Sequence, residues 1–494
     1  MSSHETSLKR IVLFIFSGAF LLRVFHLNLP ILEAYNNLTR QAVSGMIARN
    51  YYRHGFCFWM PELDQGAGPY LFNAEMPIGP YLTAVLYWLL GGVHEWAARL
   101  VSVCFSMAML WFLYAFVKKV YGKAQAAIAT GFAAVSPLCL AFSRALQPDI
   151  LMLAGSAGGL YYFYRYFEEK KSRHFIFSVL LTTLAVASKA YALYLFLPLI
   201  AIAWCAQKRR LLQDPKNYFY AFIVLLTLFW YGFMWVQGKT QHLYYDTIRY
   251  DRGIAYQSFL ELFSAGNIGI FLKIFLIHIL TPAGAILFFI GFVRRSTKKE
   301  DLIFYAWFGA VFLFLLVTWR IVLRNPYYEL PLVLPAAVFV GRGAMVILAL
   351  KDGPFGRCRG ILIACLVVIA IPSLLYFYRG LYSLPPERNA ILAAGKAAQA
   401  KTSPDELLIA SYEGGPALLY YCDRKGWELD LSGSAGDPVD KLEALRNRGA
   451  SAFVTIKKNL EHATASFEAY LRSHYSILEE NEDYILFHVK AGAA

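Results

Sequence analysis

Charged side chains are scarce in this sequence, at 16% of 494 residues, against roughly 25% in an ordinary soluble domain. A chain so poor in charge cannot keep its surface in water. With 58% hydrophobic and 16% aromatic residues, it belongs in lipid. Cysteine is sparse too: the seven thiols lack metal-type spacing, and Cys104, Cys139, Cys205 and Cys365 fall in apolar runs as small fillers, which excludes a disulfide framework. Cys57 and Cys422 fall in predicted outer regions, and two free thiols is the favoured reading over a bridge. His26, His54, His94, His242 and His278 show no paired spacing, so no metal is assigned; outer carboxylates can nonetheless bind a divalent cation without a motif. There is no solenoid-type repeat and no low-complexity tract. Acids are outnumbered, with 33 Asp and Glu against 47 Lys and Arg and a net charge of +14. The basic residues cluster between apolar runs, which is the pattern of membrane topology and argues against a nucleic-acid partner.

Long apolar runs are abundant. A spanning helix needs roughly 20 mostly apolar residues, and the candidates run over Ile11–Leu29, Ala98–Val117, Ala124–Phe142, Ile150–Tyr166, Phe175–Ser188, Ala192–Ala206, Tyr218–Val236, Ile268–Val293, Leu302–Trp319, Leu330–Leu350 and Ile361–Tyr378. The first follows Lys9-Arg10, exceeds a signal peptide's apolar stretch of roughly 7 to 15 residues and precedes no small-residue cleavage site, so a retained span is expected. Tyr81–Val93, bounded by Pro77, Pro80, Gly91 and Gly92, is too short to cross and is expected to lie in the interface.

Leaving that stretch out makes about eleven spans and puts every basic cluster on one side. These are Lys9-Arg10, Lys118-Lys119 with Lys123, Lys170-Lys171 with Arg173, Lys208-Arg209-Arg210, Arg294-Arg295 with Lys298-Lys299, and Lys351 with Arg357 and Arg359. The positive-inside rule makes that side cytoplasmic. Pro30–Ala97, Gln237–Asn267 and everything after Tyr378 then lie outside. Beyond Leu384 the apolar runs shorten to strand length, at Leu407–Ala410, Ala452–Ile456 and Tyr484–His488, and alternate with helical patterns such as Asp440–Arg448. A small outer α/β domain over about 381–494 is expected, following a membrane domain over 1–380.

The chemistry-bearing residues gather on the outer side. Glu33 precedes a stretch whose apolar and basic residues have helical spacing, which predicts an amphipathic helix lying along the bilayer. Glu62, Asp64 and Glu75 follow. Asp149 sits at an outer span end, where an ionisable group needs a cavity or partner, and Lys189 ends another span, as a functional cation or an interfacial lysine. Acids and bases at one membrane face suit transfer from an anionic lipid-phosphate donor: cations hold the leaving phosphate while a carboxylate deprotonates the acceptor hydroxyl. Proton-coupled transporters use similar groups.

Arg40-Gln-Ala with Ile47-Ala-Arg-Asn, Glu75-Met-Pro, Ala97-Ala-Arg-Leu-Val-Ser, Ser143-Arg with Pro148-Asp149, Ser188-Lys189 and Asn325-Pro-Tyr-Tyr-Glu-Leu-Pro occur in an order that resembles the bacterial GT-C glycosyltransferases of the protein-mannosyltransferase and aminoarabinose-transferase type. The resemblance spans about the first 380 residues. It implies a polyprenyl-phosphate sugar as donor, inversion at the anomeric carbon, a lipid, glycan or protein acceptor, a bacterial inner membrane, and a catalytic acid in the first outer loop. A second acid is implied at the outer end of the third span, which Asp149 matches. The first acid departs from the pattern: relatives carry Asp, often Asp-Glu, near the juxtamembrane helix, and some have Asp where Val43 stands. Glu33 is the expected general base, with Glu75 or Asp64 next. Met76 replaces a lysine that many relatives use on the lipid phosphate, so the charge is expected from Arg40 and Lys189, with Arg320 and Arg324 also available and Tyr327 and Tyr328 along the lipid groove. The alternatives are a transporter or flippase of the same lipid-linked substrate and a noncatalytic scaffold with the same fold.

Overall fold

The computed structural model describes residues 3–32, 38–68, 70–72, 74–240, 264–294, 298–350, 359–413, 415–431, 437–461, 463 and 465–490. Its first part is helical: α1 (Ser3–Val24), α2 (Leu38–His54), α3 (Ile78–Leu90), α4 (Glu95–Tyr121), α5 (Lys123–Val135), α6 (Pro137–Phe142), α7 (Asp149–Glu169) and α8 (Ser172–Ser188). Among the described residues, five helical stretches are long and apolar enough to cross a membrane: Glu95–Tyr121, Ala190–Leu212, Pro215–Gln237, Pro326–Leu348 and Gly360–Lys401. A bent pair, Gly266–Ile279 with Thr281–Val293, makes a sixth if it counts as one span. Ile78–Leu90, Ser172–Ser188 and Asp301–Val317 are apolar but shorter. The chain is thus a multi-pass membrane protein.

Two runs expected as single spans are broken. Ala124–Phe142 divides into α5 and α6 at Ser136, because Pro137 disfavours helical backbone in the residue before it, and Ser136 is extended at ψ 124°. Ile268–Val293 bends by 97°. There Thr281 takes a left-handed φ of 60°, and Pro282 follows without a backbone N–H to continue the ladder. The expected interface helix is α3, 13 residues long, beginning after Pro77 and ending on Gly91 in the left-handed conformation that glycine accepts freely.

Glycines set how closely α7 and α8 approach each other in the core. A Cβ on Gly155 of α7 would lie 2.5 Å from the Leu181 carbonyl of α8, and one on Gly159 would lie 2.3 Å from Thr182 Oγ1. This small-xxx-small stripe lets the two backbones meet. The helices run antiparallel across the short Lys170-Lys171 connection, so the start of α7 lies beside the end of α8.

The C-terminal part carries a five-stranded sheet, ordered β4-β3-β5-β7-β6, with β3 Leu407–Ser411, β4 Gly426–Glu428, β5 Ala450–Ile456, β6 Ser476–Glu480 and β7 Tyr484–His488. The strands β4, β3 and β5 are parallel, and β7 and β6 add on antiparallel. Helices Pro386–Lys401, Ala417–Cys422, Pro438–Asn447 and Ala465–His474 accompany the sheet. The three strands expected from the sequence are present, and the predicted helix at Asp440–Arg448 is Pro438–Asn447. In the first loop β1 (Glu62–Leu63) pairs with β2 (Tyr70–Leu71).

This sheet packs directly on the first loop. Ile31, Leu32, Ala42 and Met46 share a buried core with Ile391, Leu408, Leu418 and Tyr420, and Gln65 and Gly66 bridge to Gly426 on the edge strand β4. As a result α2 departs from the expected amphipathic surface helix: every residue from Gln41 to Tyr51 is buried. Its sequence has helical spacing, but the face expected to meet water meets the C-terminal sheet unit instead.

Candidate active site at one end of the helical bundle

Asp149 is the first residue of α7, after Pro148, where a carboxylate is favoured by the helix N-terminus. It is fully buried. Its Oδ1 accepts a hydrogen bond from Tyr191 Oη at 3.1 Å; its Oδ2 has no hydrogen-bond partner among the described residues and lies 4.0 Å from Lys189 Nζ. Lys189 follows α8 in extended conformation, and the 3-10 turn Ala190–Leu195 folds Tyr191 back over it. The ammonium faces the rings of Tyr327 at 5.3 Å, Tyr328 at 5.7 Å and Tyr191 at 6.0 Å, distances at which ring quadrupoles attract a cation. Tyr191 stacks in turn on Phe314 at 4.5 Å.

A second pair lies alongside. Arg40, in the first turn of α2, is ion-paired with Glu75, and its guanidinium lies over the Phe72 ring at 4.7 Å. The Glu75 segment is fastened to the end of α8. The Met76 N–H donates to the Ala187 carbonyl at 3.1 Å, Trp230 Nε1 donates to the Ala74 carbonyl at 3.0 Å, and Tyr231 Oη donates to Val186 and Ala187 carbonyls at 2.9 and 3.0 Å. Arg40 and Asp149 both lie within electrostatic reach of Tyr327. A cavity of about 520 Å³ is lined by Trp59, Met60, Gly68, Tyr70, Leu71, Phe233 and Gln237, none of which belongs to this charged group.

Of the residues expected from the sequence, Glu75, Asp149, Arg40, Lys189, Tyr327 and Tyr328 therefore come together. Tyr327 and Tyr328 surround the lysine. Glu33 lies outside the described residues, as does the side chain of Arg324. Asp64 is engaged elsewhere, with Arg49 at 2.6 Å and Asn50 at 2.9 Å, and Glu62 pairs with Lys425 at 2.6 Å and His54 at 2.7 Å. Burial alone would raise the Glu62 carboxyl, but hydrogen bonds from Lys425 and His54 hold it below the usual carboxylate range. Among the described residues no three His, Cys, Asp or Glu side chains converge as a metal-ligand set. Cys57 is exposed and Cys422 buried, both as free thiols.

Sequence reasoning missed Tyr191 and Phe72. Tyr191 stands two residues beyond Lys189, and a short turn at the helix end would have brought it back; Phe72 carried no local signal. Other motif residues act as struts. Gln41 Nε2 donates to the Ile31 carbonyl at 3.3 Å while its Oε1 accepts from Leu146 N–H at 3.1 Å. Arg99 donates to the Pro30 carbonyl at 2.7 Å and Ser102 to that of Ala145 at 2.6 Å. Arg144 holds carbonyls at the end of α1, including that of His26 at 3.0 Å.

Residues 74–235 match the model of the dolichyl-phosphate-mannose-protein mannosyltransferase family. Compared by sequence with curated proteins, the chain finds no match. In structure it is similar to ArnT from Cupriavidus metallidurans bound to undecaprenyl phosphate, with a TM-score of 0.65 at 13% identity over 97% of this chain and 98% of that one. It is also similar to the archaeal oligosaccharyltransferase AglB from Archaeoglobus fulgidus in complex with an inhibitory peptide and a dolichol-phosphate, with a TM-score of 0.59 at 11% identity over 94% and 72% of the two chains. The fold is that of the GT-C glycosyltransferases. Within that class, the sequence similarity is to the protein mannosyltransferases, over a segment that contains Glu75, Asp149 and Lys189.

Proposed function

We propose that this protein is an inverting glycosyltransferase that moves a hexosyl or pentosyl group from a polyprenyl-phosphate donor to a lipid, glycan or protein acceptor at the periplasmic face of a bacterial inner membrane. The observation that carries the reading is the convergence of two cations, Arg40 and Lys189, with two carboxylates, Glu75 and Asp149, at one buried end of the bundle. The matched family and the fold neighbours bound to undecaprenyl phosphate and dolichol-phosphate support the same donor class.

In this reading Arg40 and Lys189 receive the donor phosphate, with Arg324, Tyr327 and Tyr328 along the lipid. The acceptor hydroxyl attacks the anomeric carbon from the face opposite the phosphate, its proton passes to Glu33, and the phosphate leaves onto the cations. Asp149 orients the acceptor and Glu75 holds Arg40. Cations placed where the leaving charge develops lower the barrier more in a dry site than in water.

The orientation rests on the opposite end of the bundle. Lys119 pairs with Glu168 at 3.1 Å, Lys298 donates to the Val120 carbonyl at 2.5 Å and Lys299 to that of Cys205 at 3.0 Å, so basic clusters from separate connections lie together, away from Asp149 and Lys189. This supports about eleven spans with a cytoplasmic N-terminus, a membrane domain over 1–380 and a periplasmic domain over 381–494. The test is sugar transfer by membranes carrying Asp149→Asn or Arg40→Ala, with mass spectrometry of envelope lipids, glycans and glycoproteins to identify the product. Loss of the modified species in both variants at normal protein abundance is expected; undiminished transfer in both refutes the site.

A further inference from the structure

The helix α2 has two buried faces, and the residues on each are spaced by three or four. One face, through Val43, Ile47 and Tyr51, packs with Leu63, Phe72 and Ala84; Phe72 is the ring beneath Arg40. The other face carries Ala42, Gly45, Met46, Arg49 and Arg53, and all of it meets the C-terminal sheet unit. Ala42 and Met46 enter the core shared with Leu418 and Tyr420. Gly45 touches the Tyr420 ring so closely that a Cβ there would lie 2.8 Å from it.

Polar contacts fix the same face. The Arg49 guanidinium, almost wholly buried, pairs with Asp64 at 2.6 Å and Asp423 at 2.8 Å, donates to the Tyr420 carbonyl at 3.0 Å and lies over the Tyr420 ring at 4.8 Å. Arg53 grips both oxygens of Asp423, at 2.7 and 2.8 Å. A buried cation held by two carboxylates and a carbonyl contributes little net stability, but it permits one register only, because any slip strands a charge away from water.

We infer that Asp423 and Tyr420 are positioning residues for Arg40: the C-terminal unit fixes the rotation and height of α2 and so completes the phosphate-binding site from outside the bundle. This rests on the reading of Arg40 as a donor-phosphate ligand. Loosening the contact lets α2 turn, and a guanidinium that must meet phosphate oxygens in a plane tolerates little displacement.

The test is a double-mutant cycle on the full chain in lipid nanodiscs, with undecaprenyl phosphate titrated against tryptophan fluorescence. Arg40→Gln alone checks the underlying reading, which fails if affinity is unchanged. With that loss established, Asp423→Asn is expected to weaken binding about fivefold in the native background and less than about twofold beside Arg40→Gln, since it acts through the same contact. An equal loss in both backgrounds, or none in the native one, overturns the inference. If Asp423→Asn does not fold, Gly45→Ala takes its place. It should weaken binding through the crowded Tyr420 ring in the native background and by less than about twofold beside Arg40→Gln; an equal loss in both backgrounds overturns the inference equally.

Discussion

Removing either partner of the Asp149–Lys189 pair should abolish transfer, yet the two losses should differ sharply in stability. Replacing Lys189 by Met leaves a fully buried carboxylate that accepts a hydrogen bond from the Tyr191 hydroxyl but has lost its neighbouring cation. At the observed 4.0 Å the direct attraction is about 4 kcal/mol in a medium of effective dielectric near 20, and stranding one member of a buried pair costs about 3–5 kcal/mol. Replacing Asp149 by Asn is milder. The amide keeps the shape and can still accept from Tyr191, while the ammonium retains three aromatic rings within 6.0 Å, each such contact contributing about 0.5–2 kcal/mol; a cost of about 1–2 kcal/mol follows. The double variant, with no stranded charge, should recover most of the Lys189→Met loss. Thermal melts of detergent-purified protein, followed by size exclusion, should rank native, Asp149→Asn, double variant, Lys189→Met from most to least stable. A double variant no more stable than Lys189→Met would refute the reasoning, because the pair would then not be electrostatically coupled.

Two further outcomes are expected. Burial alone would raise the Asp423 carboxyl, but the Arg53 hydrogen bond and the charges of Arg49, Arg53 and Arg424 outweigh it and hold the group below its ordinary value; Glu62 is held low in the same interface. A depressed carboxyl contributes stability that is complete above its unfolded pKa, about 3.9 for Asp and 4.3 for Glu, and is lost as pH falls through the folded value. Protection of the Gly426 amide, bonded to the Asp64 carbonyl at 3.0 Å, should therefore be constant between pH 5 and 7 on the order-of-magnitude scale of these titrations and drop below about pH 4 in intrinsic-rate-corrected hydrogen exchange; constant protection throughout would contradict the linkage. Gly155→Leu should force α7 from α8 at a cost of about 1–3 kcal/mol or more and lower transfer by separating Asp149 from Lys189, whereas Gly18→Leu, where a Cβ meets nothing within 4 Å, should do neither.

The apolar runs made the helices legible because a lipid-facing helix needs only length and composition. The strands β3, β5 and β7 were legible because their residues form short, bounded apolar runs. Gly426–Glu428 was not: three residues hold as a strand there because β3 flanks one side and Gln65-Gly66 bridges the other, and neither neighbour is close in sequence. The same non-locality hid the all-round burial of α2. In the site, Asp149 and Lys189 could be found as costly groups at span ends, and Arg40 and Glu75 by their motifs. The approach of Asp149 to Lys189 depends on how close Gly155 and Gly159 allow two helices to come, and the Arg40–Glu75 pair with the parts of Tyr191 and Phe72 on contacts between separate segments, which no single run of residues displays.

The bridge between Gln65-Gly66 and the edge strand β4 also bears on modularity. A fragment cut free near Leu384 would keep its sheet but expose an unpaired strand edge beside the bared faces of Leu418 and Tyr420, a template for pairing with another copy. Such a fragment should self-associate, and an exchange of this unit between related proteins should succeed only when the first loop travels with it. The proposed unit over 381–494 thus takes part of its packing from the first loop, a stretch of chain far from it in sequence.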